Sequence, residues 1–231
     1  PRGSPDLGPL AVMVATEVDL KQLRSQLKLA DPAGRPLFMS RVFHGQPPHP
    51  AAIVGPFMGA PYAVMLLENL IARGARRILF YGWCGSLCPD VRIGDVIIPT
   101  GAIVGDGTAG YYGADTGETV QPAAAITDRI GRRLSQSGCT LHRGRVFSTD
   151  AIYQETPNLL TKIRKAGAIG IEMEASALFT VGRFRGVDVG AVMVVSDNLS
   201  TDTWQTGFKD PRFLEARRAV HQGLAEQCQT P

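Results

Sequence analysis

Cysteine is scarce in this chain of 231 residues: Cys84, Cys88, Cys139 and Cys228 are the only four, and no two form a CxxC pair. That is too few for a disulfide framework at this length, which points to a reducing, cytoplasmic setting. Cys84 and Cys88 also lack a histidine at ligand spacing, so no metal is expected. Basic clusters are missing as well, since no run of Lys and Arg exceeds two residues and 24 basic against 21 acidic side chains leave a formal net charge of +3. A nucleic-acid tract or a membrane-surface patch is therefore not expected, and a small-molecule substrate is the default. Apolar stretches of ~18 residues do not occur, nor does the basic-then-apolar opening of a secretory signal. A soluble, non-exported protein is the expectation. Pro1-Arg2-Gly3-Ser4 looks like a tag remnant, which leaves 5–231 as a single domain long enough to build its own core.

What is present is an alternation of short apolar runs with amphipathic stretches. Leu10–Val14 reads as a buried strand, and Thr16-Glu17 opens a helix reaching about Leu29. Residues 36–44 and 50–55 read as two strands around a loop marked by Pro47, Pro48 and Pro50, followed by a helix from Ala60 to Ala72. Arg77–Tyr81 is a further strand, Gly82 to Pro89 a turn, and Ile93–Ile98 a strand closed by Pro99. Six glycines between Gly101 and Gly117 predict a loop over a site. Helices are expected at 122–137, 157–166, 173–184 and the C-terminus, with strands at 144–148, into Ile171 and at 189–195. This pattern predicts an α/β fold, a three-layer α/β/α sandwich whose central sheet is mixed but largely parallel, because parallel strands require long crossovers.

Two segments place carboxylates where such sheets hold ligands, at strand ends. Glu172-Met173-Glu174 lies where a strand becomes a helix, and Ser196-Asp197 lies just past the apolar run 191–195. One acid could grip a diol and another could donate a proton to a leaving group. The bland alternatives are first-turn acids favouring a helix N-terminus for Glu172 and Glu174, and a turn aspartate for Asp197. Taken singly, the bland readings rank first.

Their order alters the balance. Gly55-Pro-Phe-Met58-Gly59-Ala-Pro61, Gly82-Trp-Cys-Gly85, Gly94-Asp-Val-Ile-Ile98, Ser148-Thr-Asp-Ala-Ile-Tyr153, Glu172-Met-Glu-Ala175 and Val195-Ser-Asp197 together resemble the nucleoside phosphorylase and nucleosidase superfamily, from Leu10 to about Val220. The resemblance implies a small nucleoside as substrate and a homo-oligomer, dimer or hexamer. It implies that Glu174 holds the ribose hydroxyls with Met173 beneath the sugar and Met58 nearby. Asp197 would act as acid toward N7 of a purine-type base, with Ser196 beside it. The base would lie among Trp83, Cys84, Gly85, Ile152, Tyr153 and the backbone near Glu172. Ile152 stands where many relatives have a stacking phenylalanine, so Tyr153 or Trp83 would replace it.

The same resemblance bears on the nucleophile. Phosphorylases carry Gly-Asp-Pro-x-Arg in the first βα turn, whereas this chain has Ala15-Thr16-Glu17-Val18-Asp19. A second phosphate-binding arginine is replaced by Phe80, and a Ser or Thr by Trp83. Three losses at one subsite favour hydrolysis, with Asp19 first and Glu17 second as the acid that activates water, both equally explicable as helix-start acids. Phosphorolysis, with phosphate as co-substrate, and a non-catalytic nucleoside-binding protein are the alternatives; no cofactor is expected. A dehydrogenase is disfavoured because no G-x-G-x-x-G follows the first strand. Among other residues, Asp106-Gly107-Thr108 with Tyr111-Tyr112 is either a loop near the site or aromatic packing. Arg41 and His44 fall where relatives lend residues to a neighbouring subunit, although a surface pair explains them too. His142 and His221 carry no assigned role. Trp204–Phe208 reads as packing before the last helix, the alternative being a loop that closes over the base with Lys209, Arg212 or Arg217 available to assist Asp197.

Overall fold

The computed structural model describes residues 7–45, 51–201 and 203–229. Pro1 to Ser4, read as a tag remnant, and Pro47, Pro48 and Pro50 of the expected loop lie outside the described residues. The first strand, β1 (Leu10–Val14), is buried along its whole length; a strand covered on both faces has no polar side to alternate with, hence the continuous apolar run. Thr16 caps α1 (Glu17–Ser25), its hydroxyl oxygen accepting the Asp19 N–H. The stretch expected as one strand over 36–44 is a hairpin of β2 (Arg35–Leu37) and β3 (Ser40–His44), with Phe38 at φ 54° in the reversal between them. Next come β4 (Ala51–Gly55) and α2 (Ala60–Ala72), the latter with Pro61 in its first turn.

Two strands outrun their expectations. β5 extends over Arg77–Ser86, through the expected turn at Gly82, and β6 occupies Val96–Gly105, later than expected and into the supposed glycine loop. Glycine weakens a strand, but here the partners override it: β5 is matched to the final long strand residue by residue as far as Ser86, and Gly101–Gly105 is matched to Arg145–Thr149. Beyond β6 the chain forms β7 (Thr119–Val120), α3 (Ala124–Leu134), β8 (Leu141–Thr149), α4 (Pro157–Lys165) and β9 (Ala168–Glu172). It ends with α5 (Ala175–Arg185), β10 (Asp188–Asn198), β11 (Gln205–Thr206) and α6 (Pro211–Gln229).

The sheet is mixed, as expected: β1 runs parallel to β4 and β5, β5 to β10, and β6 to β8, whereas β5–β9 and β10–β6 are antiparallel. The sequence does not announce that β5, β10, β6, β8 and β9 close into a ring. Closure follows from strand length. β5 gives one edge to β1 through Arg77–Tyr81 and then, further along, to β9 through Gly85–Ser86, while its other edge stays on β10. Helices cover both faces. α2 and α5 pack on Met13, Phe80 and Met193, and α1, α3 and α6 pack on Val12, Tyr81 and Val192. α4 adds a smaller cluster in which Leu160 and Ile163 meet Phe147 and Ile171. No helix among the described residues is long and apolar enough to cross a membrane.

Where β4 leaves β1, a Cβ placed on Gly55 would lie 2.2 Å from the Val14 carbonyl oxygen, which is backbone and has little room to yield. Gly110, by contrast, faces open space. Gly55→Ala is expected to cost about 2–3 kcal/mol in urea unfolding, and Gly110→Ala to stay within about 0.5 kcal/mol of wild type. Equal stability of the two variants would contradict the packing at β1–β4.

Candidate active site

The carboxyl ends of β5, β9 and β10 meet at one end of the ring, around a cavity of about 410 Å³. Asp197 reaches it through a bulge: the β10–β5 register shifts between Val195 and Asp197, so that Val195 faces Cys84 and Asp197 faces Gly85. An extra residue of this kind re-aims the side chains that follow it. Both Asp197 oxygens are then fixed, Oδ1 accepting the Ser196 hydroxyl at 2.6 Å and Oδ2 the Trp204 indole N–H at 2.8 Å. Gly85 keeps the space open, since a Cβ there would lie 3.1 Å from Asp197 Oδ2 and 2.4 Å from Leu199.

Glu172 and Met173 form the neighbouring wall. Glu172 Oε2 accepts the N–H groups of Glu174 and Ala175, each at 2.8 Å, and Oε1 accepts the Ser148 hydroxyl. It is thus the acid anchoring the start of α5, as the bland reading had it. Glu174 is buried but is not on the cavity wall; its Oε1 accepts the Gly59 N–H at 2.5 Å. Burial raises the pKa of both glutamates above the ordinary carboxylate range, and the charge of Glu172 adds to the effect on Glu174. Met58, also expected to touch substrate, is 74% exposed and off the wall.

The remaining walls are largely apolar. Trp83, Cys84, Ile152, Tyr153 and Ser196 line the cavity where the sequence had placed the base. Trp204 and Phe208 line it too, so this segment is more than packing. Trp204 takes the assisting position beside Asp197 for which a basic residue was also available: Arg212 bonds Asp95 and Arg217 bonds Asp19 instead. Glu155 and Leu199 complete the lining and were not foreseen. The only signal for Glu155 was its place two residues beyond Tyr153; the 3-10 turn Ile152–Gln154 that brings it round has no periodicity to read.

The two acids expected to activate water are elsewhere. Asp19 is fully buried, and its oxygens are taken by the Trp83 indole, the Thr16 hydroxyl, the Arg217 guanidinium and the His221 ring, at 2.6–2.8 Å. Burial opposes its charge, but the bonds from His221 and Thr16 and the positive Arg217 more than offset this and hold its pKa below the usual value. With no oxygen turned to the cavity, Asp19 has no access to a nucleophile there. Glu17 is an exposed helix-start acid, 3.7 Å from Lys21. Similarly, the glycine-rich segment after β6 turns toward α5 rather than over the cavity, with Asp106 accepting the Ser176 hydroxyl and Tyr112 donating to Glu68. Arg41 bonds the carbonyls of Ala33 and Gly34, and His142 bonds Asp95. The described residues contain no cluster of three or more His, Cys, Asp or Glu able to hold a metal ion.

The family model of the phosphorylase superfamily matches residues 9–227. A guanosine phosphorylase of Halorubrum lacusprofundi is 32% identical over 142 residues, which are 62% of this chain but only 58% of that relative's length. A DeoD-type purine nucleoside phosphorylase of Shewanella denitrificans is 29% identical over 176 residues, 73% of this chain and 75% of that one. Among solved structures, a purine nucleoside phosphorylase of Toxoplasma gondii in complex with immucillin-H superposes with a TM-score of 0.84 at 18% identity, covering 96% of this chain and 91% of that one. A uridine phosphorylase of Vibrio fischeri gives 0.80 at 22% identity, covering 96% and 92%. The two structures establish the fold, and the family model, which spans nearly the whole sequence, establishes that this chain belongs to the phosphorylase superfamily.

Proposed function

We propose that the protein breaks the N-glycosidic bond of a purine-type nucleoside, with phosphate as the acceptor of the ribosyl group. The observation that carries the reading is Asp197, a carboxyl group oriented from both oxygens on the wall of a nucleoside-sized, mainly apolar cavity. As the bond to the base stretches, the sugar carbon becomes cationic and the base becomes anionic. An acid held against N7 neutralises the departing base, and carboxylates around the sugar stabilise the cation. The resemblance assigns the ribose hydroxyls to Glu174, next to Met173, but its place off the cavity wall, with Oε1 on the Gly59 N–H, lends that role no support. The choice of phosphate leans on relatives that carry phosphorylase names, and it replaces the preference for water drawn from the first βα turn.

One observation favours hydrolysis as a second reading: no Lys or Arg among the described residues lines the cavity, and phosphate binding ordinarily recruits cationic or backbone donors. A screen of inosine, guanosine, adenosine, methylthioadenosine and uridine, each with and without phosphate, separates the two. Purine nucleosides are expected to be consumed only when phosphate is present, giving ribose 1-phosphate or its 5-substituted equivalent. Free sugar released without phosphate would establish the second reading, and exclusive cleavage of uridine would overturn the purine assignment. In the active reaction, Asp197→Asn is expected to lower kcat by about 10²–10⁴-fold with little change in nucleoside affinity. A wild-type kcat in the Asp197→Asn enzyme would remove this acid from the chemistry.

A further inference from the structure

Asp95 is 2% exposed, stands in the turn before β6 and lies off the cavity wall. Three donors converge on its carboxylate. Oδ2 accepts the Arg92 N–H and the His142 ring N–H, each at 2.9 Å, and Oδ1 accepts the Arg212 guanidinium at 2.8 Å. An ionised carboxylate only accepts hydrogen bonds, so its chemistry matches the donors around it. The backbone is engaged as fully: the Asp95 carbonyl accepts the Val195 N–H and the Gly94 N–H donates to the Val195 carbonyl, both at 2.9 Å.

These two grips fall at the two ends of one segment. Val195 is the residue at which the β10–β5 register shifts, two before Asp197, and Arg212 is the second residue of α6. Between them lie Asp197, Trp204 and Phe208, all three on the cavity wall. The segment is tied internally by the Gly207 N–H on the Ser196 carbonyl at 2.8 Å and the Asp210 N–H on the Gly207 carbonyl at 2.9 Å. Its far end packs tightly on the turn, since a Cβ on Gly94 would lie 2.6 Å from the Arg212 backbone. Trp204, the indole that donates to Asp197, therefore sits between a strand end and a helix start that Asp95 holds together.

We infer that Asp95 is a positioning residue for the proposed reaction: by tying the start of α6 to the turn that grips β10, it fixes Asp197 and Trp204 relative to each other on the cavity wall. This rests on the reading of Asp197 as the acid. It differs from a merely structural role, because an ion pair that only stabilised α6 would alter unfolding and leave the rate of the folded enzyme unchanged. Asp95→Asn keeps the side-chain shape but exchanges one acceptor oxygen for an NH2 group, so that donor faces donor on one side, while the backbone grip on Val195 persists. Helix α6 also supplies a control, since Arg133 of α3 bonds Glu226 near its other end at 2.7 Å.

Steady-state cleavage of inosine and guanosine in the presence of phosphate, together with amide hydrogen exchange over residues 204–214, tests this on wild type, Asp95→Asn, Arg212→Ala, the double variant and Arg133→Ala. Exchange reports local opening independently of turnover. Asp95→Asn and Arg212→Ala are each expected to lower kcat by about 10–100-fold with KM within about twofold of wild type, the scale of a displaced reacting group. The double variant should stay within about threefold of Asp95→Asn, because the two side chains act as one unit. Both single variants should speed exchange over 204–214 by about tenfold or more, and Arg133→Ala should leave kcat and that exchange at wild-type values. A wild-type kcat or unchanged exchange in Asp95→Asn, multiplying losses in the double variant, or an equal loss of kcat in Arg133→Ala overturns the assignment. Should Asp95→Asn not fold, Arg212→Ala, whose side chain is half exposed, decides by the same two readouts. A wild type that cleaves neither nucleoside overturns the reading of Asp197 itself, and the inference falls with it.

Discussion

Everything at the cavity depends on β10 being paired along both edges. One edge follows β5 for nearly its whole length, and the other meets β6 and then β11. Such a strand cannot slide, since a slip of one residue would turn every buried side chain to the wrong face. The one irregularity it carries, the register shift before Asp197, is therefore locked in. Ser196 stabilises it by bonding both the Cys84 carbonyl and Asp197. Closure of the ring through β9 then brings Glu172 and Met173 alongside. A polar group at the end of a strand becomes part of a site because long-range pairing leaves it no other position.

The energetic character of the site follows from the absence of Lys and Arg on its wall among the described residues. Three acids share a largely apolar cavity, and each is managed differently. Glu172 has its charge taken up by the first turn of α5, which offers unpaired N–H groups and a favourable dipole. Asp197 is held by a hydroxyl and an indole, two neutral donors that orient it without adding a compensating positive charge. Glu155 is partly buried, with no hydrogen-bond or ion-pair partner among the described residues. A wall of acids suits the proposed reaction, in which the sugar would become positively charged, because electrostatic stabilisation is strongest where water is excluded.

Much of this was legible in the sequence, and the rest was not, for physical reasons. Helix α2 and the buried strands announced themselves because burial on both faces leaves a continuous apolar run, and the motif order led to Asp197, Met173 and the Trp83–Gly85 segment. Closure into a ring was hidden, since it arises from β5 changing partners partway along, and no periodicity records a partner. Glycine misled twice, at Gly82–Ser86 and Gly101–Gly105, where local propensity argued for turns and ladder pairing decided otherwise. Glu155 and Trp204 lie in short irregular segments whose direction is set by what they pack against. Asp19 shows the opposite limit: its position was found, but whether a first-turn acid faces a cavity or a buried cation depends on α6, nearly two hundred residues away.

That contact explains how an acid with no opening to the cavity still shapes it. The Asp19 carboxylate receives the Trp83 indole N–H, and the Arg217 guanidinium that neutralises it lies 5.2 Å from the centre of the same ring. Phe213 meets Trp83 edge-on at 5.1 Å and Phe208 lies tilted at 5.9 Å, so the indole is gripped at its polar tip and on its apolar faces. Removing either charge would strand the other in the interior, a cost of about 3–5 kcal/mol that keeps the pair together. Trp83 stands where the resemblance places a small hydroxyl residue for phosphate, and the buried ion pair is what fixes a flat aromatic wall in its stead. The departure in the first βα turn and the departure at Trp83 are thus one change: the acid, its arginine and the indole form a single unit, and the shape of that wall of the cavity follows from all three.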